Sequence, residues 1–227
     1  MAETTVPHSS SGAPSRLLRF DPVERVVHWT NATLFATVMI TGSFLYIGQL
    51  SVLVGHRELV RTVHVYAGLA IPIPIVIGLL GRHGRALRLD FSRLNRWSRG
   101  DMRWFRRKTR AMGVRLGKFN PGQKLNAAFI GAAIIVMLAT GSIMRWFEPF
   151  PDSWRTGAEF THDWFAFFIW ISVLGHVMLA FSDRDALMAM VKGWVPARWA
   201  RTVRPRWYEE VTGLPAQTAS EPEGATR

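Results

Sequence analysis

The stretch His162–Phe181, HDWFAFFIWISVLGHVMLAF, decides how the chain is read. Twenty residues of helix reach across a hydrocarbon core of about 30 Å. Its charge is confined to Asp163, at the start, yet it holds two imidazoles, His162 and His176. Fourteen residues of α-helix place those rings about 21 Å apart along the axis and within roughly 40° of one face. One helix face therefore presents two potential ligands at opposite ends of a membrane span. An ionisable side chain inside such a span is costly and marks a functional candidate.

Three other stretches have the length and apolarity to cross a bilayer: Val26–Ile47, Val60–Leu80 and Pro121–Met144. The first starts too late for a cleaved signal peptide and carries Asn31, Thr33 and Thr37. The expected fold is all-α, an integral membrane up–down four-helix bundle. Of the 28 Lys and Arg, three precede the first span, 14 lie in residues 82–124 and seven follow Phe181. Only Arg57, Arg61, Arg145 and Arg155 fall on the other side. That asymmetry predicts cytoplasmic termini, a basic cytoplasmic loop between helices 2 and 3, and a multi-pass protein of the inner (plasma) membrane. The net charge of +12 is then a topology signal with affinity for anionic lipid heads, and nucleic acid is not an expected partner.

The polar residues 1–15 form an expected disordered arm and 212–227 an expected disordered tail, around a membrane domain at 16–211. Aromatics Phe91, Trp97, Trp104 and Phe105 among the arginines of the central loop suit a helix on the membrane face. Ser182-Asp183 can begin a short helix that Gly193 ends. Pro72 and Pro74 predict a kink in the second span. The chain has no cysteine, which excludes thiolate-held iron–sulfur clusters, disulfides and thiol nucleophiles.

Seven histidines remain to be placed. His8, His56 and His83 fall outside the spans. His28 lies at the cytoplasmic level, His64 and His162 at the outer level, and His176 again at the cytoplasmic level. Each has a partner at its own depth, which pairs His28 with His176 and His64 with His162. Facing imidazoles in a bundle core suit six-coordinate haem iron, with no open position and hence electron transfer. Neutral imidazoles also bind zinc or copper, but ligands at two separate levels fit that poorly. Arg25-x-x-His28 and Arg61-x-x-His64 repeat one unit, and an arginine one turn before a ligand can pair with a haem propionate. Arg25 can equally be a positive-inside anchor. Thr41-Gly42-Ser43 and Thr140-Gly141-Ser142 also repeat, either for close approach of a porphyrin or for plain helix packing.

The third span is entered through Gly117-Lys118-Phe119-Asn120-Pro121-Gly122-Gln123-Lys124. Asn120 reads as an N-cap and Pro121 as the first helical residue. Asn120, Gly122 and Gln123 lie at the depth of the cytoplasmic histidine pair and could hydrogen-bond a quinone. A capped helix start explains the same residues.

The chain resembles the cytochrome b (gamma) subunit of membrane-bound formate dehydrogenases, over about residues 16–211. The resemblance rests on Arg25-x-x-His28-Trp29, the Gly117–Lys124 box, the His162/His176 spacing and the tail Gly193…Arg198-Trp199-Ala200…Pro205-Arg206-Trp207-Tyr208. Pro121 departs from the family, which has Ala there. The resemblance implies two haem b groups with the pairing above, and menaquinone held by Asn120, Gly122, Gln123 and His176. It also implies an iron–sulfur partner subunit feeding electrons from a catalytic molybdenum or tungsten subunit. The neighbouring readings are the cytochrome b anchor of a nickel–iron hydrogenase or of a thiosulfate or polysulfide reductase. A reading from another class is a haem-free membrane scaffold or transporter.

Overall fold

The computed structural model describes residues 14–105 and 115–216. Most of the expected N-terminal arm and C-terminal tail lies outside the described residues. The first long helix, α1, is Pro22–Tyr46. Asp21 caps it, accepting from the Glu24 amide at 2.8 Å while Glu24 accepts from the Asp21 amide at 2.7 Å. A short helix, α2 (Gly48–Val54), ends at Gly55, whose φ of +67° is open to glycine. Next come α3 (Arg57–Ala70) and α4 (Pro72–Leu80), split where Pro72 cannot continue the hydrogen-bond ladder. The expected kink in the second span therefore falls at Ile71–Pro72. The basic loop contains α5 (Arg85–Asn95) and α6 (Arg99–Trp104), the latter capped by Ser98.

The helix α7, Pro121–Arg145, opens with the same device as α1: a capping box, here Asn120 with Gln123, and proline at the first position. The longest helix, α8 (Asp152–Ser182), is unbroken through both of its histidines. As expected, Asp183 caps a short helix, α9 (Arg184–Lys192), and Gly193 ends it at φ +91°.

Among the described residues, three helical runs are long and apolar enough to cross a membrane: Arg57–Leu80, Pro121–Arg145 and Asp152–Ser182. With 25 residues α1 has the length, but its polar residues dilute its apolarity. Its threonines bond their own helix: Thr33, Thr37 and Thr41 each donate to a carbonyl one turn back, at 2.7–3.0 Å.

Neighbouring helices run antiparallel. A Cβ on Gly78 would meet Val27, and Thr41 meets His64, so α1 descends as α3–α4 rises. Likewise Thr140 meets His162, and Asn126 meets Ser172, whose hydroxyl donates to the amide oxygen at 2.5 Å. The two halves join through an apolar layer of Met39, Ala133 and Ile169 with Phe35, Phe129 and Phe165 around it.

The structure departs from an all-helical chain at one small sheet. Strand β1 (Arg16–Leu18) pairs antiparallel with β2 (Trp194–Pro196), and α10 (Ala197–Val203) and α11 (Pro205–Thr212) follow. The Gly193 turn makes this possible, because its carbonyl accepts from the amides of Arg19 at 2.8 Å and Phe20 at 3.1 Å. Leu17, Phe20, Val195, Trp199, Trp207 and Tyr208 bury one another there, a second core outside the long helices.

Gly78 tests the packing of the first helix pair. A Cβ there would lie 2.7 Å from Leu87 Cδ2 and 2.8 Å from Val27 Cγ2. Gly78→Val should cost about 1–3 kcal/mol by overpacking, read as thermal unfolding of the detergent-solubilised protein. Gly131→Val, with nothing within 4 Å of its Cβ, is the matched control and should shift unfolding far less.

Candidate functional site: two facing histidine pairs

The fold brings His28 of α1 to His176 of α8, with ring centroids 6.2 Å apart, and His64 of α3 to His162 of α8, 6.3 Å apart. Two imidazoles facing each other across one shared metal, with bonds of about 2 Å and ring radii of about 1.2 Å, would have centroids about 6.4 Å apart. Both pairs thus have the spacing of a shared central ion. Ile169 lies seven residues from each histidine of α8, so the apolar layer falls midway between the two levels.

The His64–His162 level also reveals which nitrogen is free. Thr41 Oγ1 donates to the Thr37 carbonyl at 2.7 Å and lies 3.0 Å from His64 Nδ1. Thr140 Oγ1 donates to the Val136 carbonyl at 2.8 Å and lies 3.0 Å from His162 Nδ1. Each hydroxyl proton is already committed, so each threonine oxygen accepts from Nδ1–H. The tautomer inferred from this leaves Nε2 of both rings with a lone pair for a ligand. The next residue in each case is glycine. A Cβ on Gly42 would come within 3.2 Å of His64 Cε1, and one on Gly141 within 3.4 Å of His162 Cε1. The two Thr-Gly-Ser repeats therefore orient and clear the ring beside them, a role that sequence reading divided between porphyrin approach and helix packing.

At the other level His28 stands edge-on to Trp29, 5.3 Å away, and Trp29 Nε1 donates to the Met190 carbonyl at 3.0 Å. Arg25, one turn before His28, donates through Nη1 to the Val191 carbonyl at 2.8 Å. Its buried Nε and the buried Oδ1 of Asn31, one turn after His28, have no partner among the described residues. These orphaned polar atoms belong to residues one turn before and one turn after His28 and leave a donor and an acceptor for a bound polar group. Arg61 behaves differently from Arg25. It forms a 2.5 Å ion pair with Glu58, and both side chains are largely exposed.

The box before α7 has a defined polarity. Asn120 Oδ1 accepts from the Gln123 amide at 2.8 Å, and Gln123 Oε1 accepts from the Asn120 amide at 2.9 Å. Both oxygens are used within the box, which leaves Asn120 Nδ2 and Gln123 Nε2 as its remaining side-chain amide donors. Gly122 must stay bare: a Cβ would be 3.3 Å from both Asn120 Oδ1 and Trp104 Cη2. The α6 helix is stapled over this point by Lys124, which donates to Asp101 at 3.0 Å and to the Arg96 carbonyl at 2.7 Å. Burial raises the Asp101 carboxyl, but hydrogen bonds from Lys124 and Ser98 outweigh it and hold the group below its usual range. The antiparallel register of Thr140 with His162 and Asn126 with Ser172 extends to set His176 level with the start of α7.

Sequence reading did not find the buried ionic cluster beneath the box. Lys118 Nζ lies 3.2 Å from Glu24 Oε1 and is hydrogen-bonded to Asp90 as well. The available signal was a lysine inside a box otherwise built of capping residues.

The threonines give a direct test. Thr41→Val or Thr140→Val removes the acceptor that orients one ring, and should weaken metal-centre binding at the His64–His162 level about 10–100-fold. The other level should be untouched, which separate spectroscopic titration of the two levels would reveal.

Comparison with known proteins supplies the family. The chain is 27% identical over 205 residues to the formate dehydrogenase cytochrome b556 subunit of Haemophilus influenzae, covering 86% of this chain and 84% of that one. It is 26% identical over 208 residues to the formate dehydrogenase cytochrome b556(fdo) subunit of Escherichia coli K12, covering 86% and 93%. It is 25% identical over 217 residues to the nitrate-inducible cytochrome b556(Fdn) subunit of the same organism, covering 90% and 96%. The model of the prokaryotic cytochrome b561 family matches residues 19–193, which take in both histidine pairs, both Thr-Gly-Ser repeats and the box. With four inward imidazoles, bare glycines beside two of them and apolar helices of membrane-spanning length, the chain belongs to the prokaryotic cytochrome b561 family and is a haem b membrane protein of electron transfer.

Proposed function

We propose that this chain is the four-span, dihaem anchor of a formate dehydrogenase, passing electrons to menaquinone at its cytoplasmic side. The observation that carries the reading is the pair of ring separations, 6.2 and 6.3 Å, each the spacing of two imidazoles on one iron. His64 and His162 would hold the outer haem, and His28 and His176 the inner one. Haem b held by each pair would supply a reversible one-electron couple there. The buried Arg25 Nε is suited to an inner-haem propionate. Arg61, paired with Glu58 in the open, is the weaker candidate for an outer propionate.

The basic residues support an orientation with both termini and the α4–α7 connection in the cytoplasm and α1 as a fourth span. Asn120 Nδ2 and Gln123 Nε2 would then hydrogen-bond a quinone carbonyl, with the backbone exposed at Gly122 and His176 close by in register. The names of the three relatives support formate as the electron source. An iron–sulfur partner would then meet the outer haem, with a catalytic molybdenum or tungsten subunit behind it, as the family resemblance implies.

Two haems per chain are expected on pyridine haemochrome analysis of the intact complex. His64→Ala and His162→Ala should remove one spectroscopic component, and His28→Ala and His176→Ala the other; crossed losses would refute the pairing. Formate dehydrogenase subunits should co-purify with the chain, whereas hydrogenase or polysulfide reductase subunits would reassign the donor.

The quinone site is tested separately. Asn120→Ala with Gln123→Ala removes two neutral hydrogen bonds, each worth about 1 kcal/mol. The double variant should keep both haems while dithionite-reduced haem reoxidises with menaquinone about 10–30-fold more slowly. An unchanged rate and unchanged quinone affinity would make the box a helix cap alone.

A further inference from the structure

The loop that delivers Asn120 is fastened from below by charges that have almost no access to solvent. The Lys118 side chain is 4% exposed, Glu24 5% and Asp90 6%. Lys118 Nζ lies between the two carboxylates, with the faces of Phe20 at 4.8 Å and Phe119 at 5.6 Å from the ammonium. Glu24 comes from the first turn of α1, one turn before His28, and Asp90 from α5. Asp90 also binds Arg93 at 2.8 Å, and Arg93 binds Glu210 of α11 at 2.5 Å, where the half-exposed Glu210 side chain meets water. Arg19 faces the same loop, donating to the Lys118 carbonyl at 3.3 Å. Asp21 contributes its backbone amide to Glu24 and turns its own carboxylate to the Glu24 amide.

Asp90 has Arg93 as a second cationic partner, whereas Glu24 shares Lys118 with it and is as deeply buried. A buried carboxylate so placed is unfavourable when ionised beside its neighbour, and relieves the strain by keeping a proton. Burial, then the hydrogen bond with Asp90, push the Glu24 carboxyl up to about 8, against the opposing pull of Lys118. A carboxylic acid is thereby kept protonated at neutral pH against Lys118, which belongs to the box itself and precedes Asn120 by two residues.

We propose that the Glu24–Asp90–Lys118 cluster is the proton-holding site for quinone reduction, with Glu24 as the carboxyl that releases and regains the proton. This rests on the quinone reading of the box. For each quinone, two electrons arrive singly from the inner haem and two protons are needed at the two ring oxygens. As negative charge develops on a ring oxygen, the Glu24 carboxyl releases its proton toward it and becomes a carboxylate held by Lys118. Cytoplasmic water entering past Arg93 and Glu210 returns one proton, and the cycle repeats once to complete the quinol.

The test uses the full complex in liposomes with menaquinone. Glu24→Gln copies the neutral carboxyl in shape but carries no labile acid. Haem spectra and the affinity for a quinone-analogue inhibitor should be unchanged, while reoxidation of pre-reduced haem slows about 100-fold or more, within the usual range for a lost proton donor. In the unaltered protein the rate should fall as pH rises through about 8, when Glu24 loses its proton, and that fall should be missing from the variant. Infrared spectra of the resting protein at neutral pH should show a protonated-carboxyl band that Glu24→Gln removes. The proposal is overturned if the variant reoxidises normally, if it slows only through weaker quinone binding, or if the unaltered protein lacks both the pH dependence and the carboxyl band. These last two readouts stand even if the variant fails to assemble. Slow reoxidation in the Asn120/Gln123 double variant beside a normal rate in Glu24→Gln removes this inference alone, whereas a normal rate in the double variant removes the quinone site itself.

Discussion

An imidazole placed inside an apolar span has two nitrogens to satisfy, and no water there to satisfy them. At the His64–His162 level the protein resolves this with a fixed relay. A helix carbonyl takes the threonine proton, the threonine oxygen takes Nδ1–H, and Nε2 faces the opposite ring across a gap of 6.3 Å between centroids. Much of the remaining architecture follows. The helices must run antiparallel to set Thr41 beside His64 and Thr140 beside His162. Gly42 and Gly141 must lack side chains where the rings lie against their backbones. Midway between the levels the packing is apolar, with Met39, Ala133 and Ile169 in contact.

The two levels are not built alike. Thr-Gly-Ser followed by a histidine on the next long helix occurs in both halves, so the His64–His162 level is nearly symmetric. Fourteen residues after His162 comes His176, but fourteen after His64 comes Gly78, pressed between Val27 and Leu87. The second level therefore draws its other ring from α1, through His28. That substitution brings the first turn of α1, with Glu24, to the same end as the capped start of α7. The buried ionic groups among the described residues are concentrated at this end, whereas the ion pairs of the opposite end, Arg61–Glu58 and Arg155–Asp152, are exposed.

The sheet and the α10–α11 segment pack against this polar end. Arg19 and Arg204 stack on Trp199, with guanidinium carbons 4.7 and 5.7 Å from the ring centre. Burial, then the neighbouring Arg204, lower the Arg19 guanidinium to about 10. Arg19 Nη2 donates to the Lys118 carbonyl and the Arg206 amide to the Leu116 carbonyl, so the start of the box loop is held by this lobe. The lobe thus ties the chain ends to the residues proposed to meet quinone.

Apolar length, the 14-residue spacing, the paired depths and the Asn120–Gln123 cap are all local or one-dimensional properties, and the sequence by itself determined them. A helix has a fixed rise, so spacing converts directly to depth, and a capping box closes within four residues. The Thr-Gly-Ser repeats were visible but ambiguous, because the ring each one orients lies 22 or 23 residues away on another helix. Tertiary structure alone decided the remainder. Glu24, Asp90 and Lys118 come from three separate segments, and no periodicity links a charge in a helix cap to one in a loop 94 residues later. Three-residue strands at the two ends of the chain likewise carry too little pattern to announce themselves. They pair because Gly193, in a backbone conformation open to glycine, turns its carbonyl toward Arg19 and Phe20.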